Sequence, residues 1–159
     1  AGSGTYNRPF LTEGMRLIPG WRRMQGVVFR PGDARFEGRG LDAALAAVLA
    51  DPGAMMVGRN PGSGTRVLLD RLLQGARPPG YWNQPTSHNA VAASVAQGRA
   101  DWGLAIGPVA RASGLGFLPV ADEHYDFAAR TEPRDPGALA AFEAALADSR
   151  AALAELGCA

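Results

Sequence analysis

Apolar positions along the chain switch between two spacings, and the switching divides it into short elements. Trp21 to Phe29, with Met24, Val27, Val28 and Phe29, reads as a strand that stops at the Arg30-Pro31-Gly32-Asp33 turn. Leu41, Leu45, Val48 and Leu49 then fall at helical spacing until Asp51-Pro52-Gly53 breaks the run. Ala54 to Gly58, centred on Met55-Met56-Val57, predicts a short buried strand, and Thr65 to Leu73 an amphipathic helix. Beyond Pro78-Pro79-Gly80, Ser87 to Gln97 predicts a helix with Val91, Ala92 and Val95 inward, ending at Gly98. Trp102 to Ile106 is a compact apolar strand of the kind a sheet covered on both faces buries. Pro108 to Ser113 predicts a short helix, and Leu115 to Val120 a strand leading into a second extended stretch, Tyr125 to Ala129. Past a Pro-rich hinge at 131–136, residues 137–156 predict one long helix with Leu139, Phe142, Leu146, Leu153 and Leu156 on one face. This alternation predicts an α/β fold with a mainly parallel sheet flanked by helices.

Composition narrows the function classes. At 159 residues, 47% apolar and 19% charged, the chain suits one globular domain or two small lobes. A formal net charge of +1 gives no bulk attraction to nucleic acid or to an anionic membrane. No predicted helix carries a basic stripe interleaved with aromatics, so direct nucleic-acid contact by this chain is not expected. All 16 basic residues are Arg, which excludes Schiff-base chemistry on Lys and suits planar anions. The one cysteine, Cys158, can form neither an internal disulfide nor a Cys-rich metal site, and no signal peptide or membrane-spanning run is read, so a cytoplasmic setting is expected. Residues 1–10 lack an initiator Met and read as a turn within a larger protein. Gly-Ser-Gly-Thr occurs at 2–5 and again at 62–65, but the flanks differ and the recurrence is treated as coincidence.

The second copy is where chemistry concentrates. Arg59-Asn60-Pro61-Gly62-Ser63-Gly64-Thr65-Arg66 runs from a buried strand into a helix, so Ser63 and Thr65 fall where the first amide N–H groups lack intrahelical partners and the dipole favours an anion. Gly62 and Gly64 let the backbone turn and approach a ligand closely. An ordinary helix cap explains the same hydroxyls, because Ser and Thr are favoured capping residues. Arg66 either adds charge to the site or lies on the solvated helix face. Ser87, His88 and Asn89 start a second helix and either cap it or present donors, and Tyr125 either reaches a ligand or packs at a strand end. Asp101 is read as tying down a turn or pairing with Arg99. Trp21, Trp82 and Trp102 are read as packing. Asp122, Glu123, His124 and Asp126 have no spacing that matches a metal site, and no catalytic residues are assigned. Neither His88 nor His124 has a nucleophile motif as partner, since Gly62-Ser63-Gly64 lacks the Gly-x-Ser-x-Gly spacing.

Several of these segments, in this order, resemble the PBP-like domain related to type II periplasmic binding proteins. They are Thr5 to Phe10, Arg22 to Gly26, Arg59 to Arg66 with Leu68-Leu69-Asp70, Gly80-Tyr81, Ser87 to Ala93, Gly98 to Leu104, Leu118-Pro119-Val120, and Glu123 to Asp126. That domain occurs at the C-terminus of some molybdenum-inserting molybdopterin biosynthesis proteins and behind helix-turn-helix domains in regulators linked to molybdate. The resemblance implies a type II binding-protein-like fold with lobe two nearly complete at 30–125, and with a truncated remnant of lobe one at 1–29 and 126–159. It implies a ligand site of Ser63, Gly64, Thr65, Arg66, Ser87, His88 and Tyr125, in which hydroxyls and the Gly64 and Thr65 amides hold a small oxyanion, molybdate or tungstate, or a molybdopterin-type ligand. The implied role is sensing within a larger regulator, without chemistry of its own. The alternative is an accessory domain of a molybdenum-insertion enzyme. A homodimer covering the exposed sheet edge is compatible with either.

Overall fold

A computed structural model describes residues 8–158. The first Gly-Ser-Gly-Thr and the Thr5-Tyr6-Asn7 part of the earliest motif lie outside the described residues. Arg8–Phe10 form a single 3-10 turn. Ten elements follow: β1 Met15–Phe29, α1 Leu41–Ala50, β2 Met56–Val57, α2 Gly64–Leu73, α3 His88–Ala96, β3 Trp102–Ile106, α4 Gly107–Ala112, β4 Gly116–Arg130, α5 Pro136–Asp148 and α6 Arg150–Glu155. Four strands make one sheet in the order β2-β3-β1-β4. The chain divides into two compact units, residues 1–23 with 122–159, and residues 24–121.

In the 24–121 unit the sheet is mixed where a mainly parallel one was expected. β2 runs parallel to β3, with Met56 beside Trp102 and Val57 beside Gly103. β1 runs antiparallel to β3, from Gln25 opposite Ile106 to Phe29 opposite Trp102. A parallel pair needs a long crossover, and residues 58–101 with α2 and α3 supply it; the hydropathy pattern of β1 carries no such directional information.

Side-chain alternation sorts the apolar residues onto two faces. On one, Val27, Phe29, Met56, Trp102 and Leu104 pack with Phe36, Leu45 and Val48 and with Leu69 and Leu73 of α2. On the other, Val28, Val57 and Ala105 pack with Val91 and Val95 of α3 and Ala110 of α4. Complete burial of Leu69, Val91 and Val95 stabilises the unit by roughly 1.5–3 kcal/mol each. Two glycines are set by close approach. A Cβ on Gly103 would come 2.7 Å from Val57 Cγ1 and 2.9 Å from Val91 Cγ1. Gly80 has φ +85° and its Cβ would lie 1.9 Å from the Met56 carbonyl oxygen, in the segment where the Met56 N–H donates to Pro79 O at 2.8 Å.

Four sequence expectations change. β1 begins at Met15 and passes through Pro19 and Gly20, which read as punctuation in the sequence. Of β1, only residues 25–29 pair with β3, so on that side a strand residue without an N–H is tolerated before that stretch. Leu115–Val120 and Tyr125–Ala129 are parts of one strand, β4, the join having been hidden by the charged run between them. Residues 137–156 form two helices, and Ser149 between them donates from Oγ to Ala145 O at 2.7 Å, a back-bond that disturbs helices. Neither α5 nor α6 contains a buried residue, so their apolar stripe is not a core; Phe142 instead meets Phe127 edge-on at 4.9 Å. Trp82 is 67% exposed, not packed inside, with Arg77 over its ring at 5.2 Å.

Candidate anion-binding site

In the 24–121 unit, β2 delivers the chain to the α2 turn. Ser63 is the α2 N-cap: its Oγ accepts from the Arg66 N–H at 3.1 Å and donates to Asn60 O at 3.0 Å. Its carbonyl accepts from the amides of Arg66 and Val67 at 3.0 and 3.2 Å. The Ser63 hydroxyl is therefore engaged in the turn itself. The amides of Gly64 and Thr65, the first two of the helix, have no backbone acceptor among the described residues. Ser87 does the same work for α3, accepting from the Ala90 N–H at 3.1 Å.

Arg59 gathers the remaining residues. It is only 6% exposed, and its Nη1 lies 3.4 Å from Thr65 Oγ1 and 3.2 Å from His88 Nδ1. Its Nη2 reaches Thr86 O at 3.3 Å and Asn60 Oδ1 at 3.5 Å. A guanidinium has donors only, so His88 Nδ1 accepts and the imidazole hydrogen sits on Nε2. The starts of α2 and α3 are thereby joined through one side chain. Sequence reasoning did not select Arg59, because an Arg ahead of a Gly-rich turn is normally solvated; its burial follows from β2 and the Thr86–His88 segment closing over it.

Arg66 proves to be neither a solvated residue nor an available charge. It is 9% exposed, its Nε donates to both Asp70 carboxylate oxygens at 2.9 Å, and its Nη1 donates to Arg59 O at 3.0 Å. Its Nη2 donates to the Tyr81 hydroxyl, which donates in turn to Asp70 Oδ1 at 2.9 Å, and the guanidinium lies 4.3 Å from the Tyr81 ring centroid. Burial disfavours the Arg66 charge, but the Asp70 and Tyr81 bonds outweigh it and hold the group more firmly protonated than usual. Its role is to fix the carbonyl of Arg59 and the first turns of α2.

Asp101 ties down a turn, but with Arg30 and Arg35 in place of Arg99. Its carboxylate takes Arg30 Nη2 at 2.7 Å, Arg35 Nη2 at 3.3 Å and the Met55 N–H at 2.8 Å. Arg30 Nη1 also donates to the Val95 and Ala100 carbonyls at 2.9 and 2.6 Å, anchoring the end of α3.

Tyr125 belongs to the other unit. Its ring stacks on Trp21 with centroids 4.9 Å apart and lies under the Arg23 guanidinium at 5.2 Å. In that unit Arg22 pairs with Asp122 at 3.7 Å, and Arg23 with Glu123. It also holds a cavity of about 420 Å³, within the size range of small-molecule sites, lined by residues that include Trp21, Arg22, His124, Arg150 and Cys158. No cluster of three or more metal-ligating side chains occurs among the described residues.

With this geometry in place, comparison with known proteins decides the family. Residues 1–147 match the PBP superfamily domain. The chain belongs to that family. It is 32% identical over 136 residues to the uncharacterized protein YvgK of Bacillus subtilis (strain 168), covering 79% of this chain and 42% of that protein, so it spans less than half of that relative's length. Among solved structures, a probable transcriptional regulator from Pseudomonas aeruginosa superposes with a TM-score of 0.64 at 23% identity, covering 86% of this chain and 46% of that one. The regulatory domain of MetR, a LysR family regulator from N. meningitidis, gives 0.61 at 16% identity over 94% and 72%. An ancestral cationic amino acid solute binding protein gives 0.56 at 16% over 92% and 63%. At these identities the likeness is one of fold: this PBP domain has the type II binding-protein-like architecture that regulators and solute-binding proteins share. No helix among its described residues is long and apolar enough to cross a membrane.

Proposed function

We propose that this PBP domain binds a small oxyanion, molybdate or tungstate, or a molybdopterin-type ligand, and acts as the sensing part of a larger cytoplasmic regulator. The observation that carries the reading is the buried Arg59 guanidinium placed against Thr65 Oγ1 and His88 Nδ1 at the start of α2. The Gly64 and Thr65 amides point their donors to the same end of the helix, where the dipole favours negative charge. Donors held in advance bind an oxyanion with little reordering, and a ligand that favours one state of the domain would bias an attached one. Nucleic-acid contact and chemistry would fall to other parts of the assembly, which a homodimer of this domain could organise. As an accessory domain of a molybdenum-insertion enzyme, the chain would use the same site to hold a ligand for chemistry performed elsewhere.

Isothermal titration of the chain with molybdate, tungstate, sulfate and phosphate tests the proposal. We expect at least one anion to bind, and Thr65→Val and Arg59→Met each to weaken it about tenfold or more, as loss of a charge-assisted or hydroxyl hydrogen bond does. Heat with none of the four would remove the oxyanion reading.

A further inference from the structure

The unit formed by residues 1–23 and 122–159 holds a cavity that the oxyanion reading does not use. Its volume of about 420 Å³ takes an organic molecule built on a ring system and is more than a bare tetrahedral ion fills. Every residue in its lining belongs to this one unit. β1 and β4 contribute Trp21, Arg22 and Asp126, and the two C-terminal helices contribute Leu146 from α5 with Arg150 and Leu153 from α6.

The apolar part of the lining is in place before any ligand arrives. The Trp21 ring stacks on Tyr125 with centroids 4.9 Å apart and planes 7° from parallel, and meets Phe127 edge-on at 5.6 Å. Phe127 is braced in turn by Phe142 of α5 at 4.9 Å. A ring held this way gives up little further freedom when a ligand packs against it. Leu146 and Leu153 are half-buried on helices that bury no residue completely, so a molecule covering them removes more apolar surface from water.

The charged part of the lining is underused. Arg22 pairs with Asp122 at 3.7 Å with side chains 60% and 44% exposed, too long and too wet to hold the guanidinium against a competing carboxylate. The Arg150 side chain has no ion pair among the described residues. Asp126, the one acidic residue in the lining, already has a partner. A small inorganic anion would leave the apolar walls wet, and a neutral apolar molecule would leave the guanidiniums without a counter-charge. A carboxylate with a broad apolar body uses both, because guanidinium matches carboxylate in planar geometry as well as charge. We infer that this cavity is a second ligand site, for an aromatic carboxylate whose charged end meets Arg22 and Arg150 and whose rings lie against Trp21, Leu146 and Leu153. The inference does not depend on the oxyanion site at the start of α2.

Titration calorimetry at pH 7 tests it with three probes: 1-naphthylacetate, its uncharged counterpart 1-naphthylacetamide, and acetate, which has the charge without the rings. Naphthylacetate should bind about tenfold or more tightly than either of the others, since each lacks one of the two matching parts. Arg150→Met and Arg22→Met both alter exposed side chains that hold no core together, and each should weaken naphthylacetate about fivefold or more. Thr65→Val, in the other unit, should leave its affinity unchanged. Absence of heat with naphthylacetate overturns the inference, and so does equal binding of the amide or of acetate. Affinity that survives both Arg variants overturns it as well. A loss caused by Thr65→Val in place of the Arg variants would put the carboxylate at the start of α2 and leave this cavity without a role. None of these results bears on whether the α2 start binds molybdate, tungstate, sulfate or phosphate.

Discussion

Replacing Asp70 by Ala probes the network that holds the α2 turn in place. The substitution removes both acceptors of Arg66 Nε and the acceptor of the Tyr81 hydroxyl, and leaves a guanidinium whose side chain is only 10% exposed. Breaking a fully buried ion pair from one side costs about 3–5 kcal/mol, and an exposed pair contributes less than ~1 kcal/mol. The Asp70 side chain is 46% exposed, so the pair lies between these limits and its loss should cost about 2 kcal/mol. The better helix propensity of Ala offsets roughly 0.5 kcal/mol of that. For a chain of this length each kcal/mol corresponds to about 2–4 °C, so the melting temperature should fall by roughly 3–6 °C. Urea unfolding of the unaltered chain, Asp70→Ala, Arg66→Met and the double variant gives the coupling between the two directly, and Arg66→Met in the Asp70→Ala background should recover part of the loss. A loss below about 0.5 kcal/mol, or one that halves in high salt, would mean that Arg66 is a solvated charge and that the network does not hold the turn.

Other outcomes follow from single contacts. Gly80→Ala combines φ +85° with a Cβ 1.9 Å from Met56 O and should destabilise by at least ~2 kcal/mol. Gly98→Ala, at φ +71° with nothing within 4 Å, should lose only the ~1 kcal/mol of left-handed strain; equal losses in paired urea melts would contradict the packing around Gly80. Leu69→Ala should cost about 2–5 kcal/mol with an unchanged urea m-value, because Leu69 is fully buried between α2 and the sheet. Acid should weaken the fold through Asp33 and Asp101. Hydrogen bonds from Arg35 hold the Asp33 carboxyl below its usual range; burial pushes Asp101 upward, but the Met55 N–H, Arg30 and Arg35 outweigh it and lower it too. A carboxyl lowered on folding stabilises the native state above its unfolded value, about 3.9, and that contribution is lost as pH falls below it. The melting temperature should therefore drop more steeply between pH 5 and 3 in the unaltered chain than in Asp101→Asn, and equal slopes would count against the assignment.

Several elements were readable because local pattern and tertiary outcome agree. The apolar run Trp102–Ile106 reads as an inner strand, and the hydroxyls of Ser63, Thr65 and Ser87 marked both helix starts, although the chain alone left cap and ligand donor open for each of them. Length and continuity were harder to read. Pro19-Gly20 and the charged run 122–126 look like interruptions, yet each lies inside a 15-residue strand, because backbone pairing tolerates what composition marks as a break. The site divided in the same way. The α2 turn was visible in the chain as hydroxyls and glycines at a strand-to-helix junction. The burial of Arg59 and its approach to His88, 29 residues away, were not.

The sequence by itself determined the order of strands and helices, the two helix starts and an Arg-only cation set, because these depend on neighbours a few residues apart. Tertiary structure decided the direction of β1, the diversion of Arg66 from ligand to Asp70 and Tyr81, and the capture of Arg59 between two helix starts. Each of those depends on which distant groups are brought within about 3 Å, the range over which a hydrogen bond acts, and spacing along the chain does not encode that.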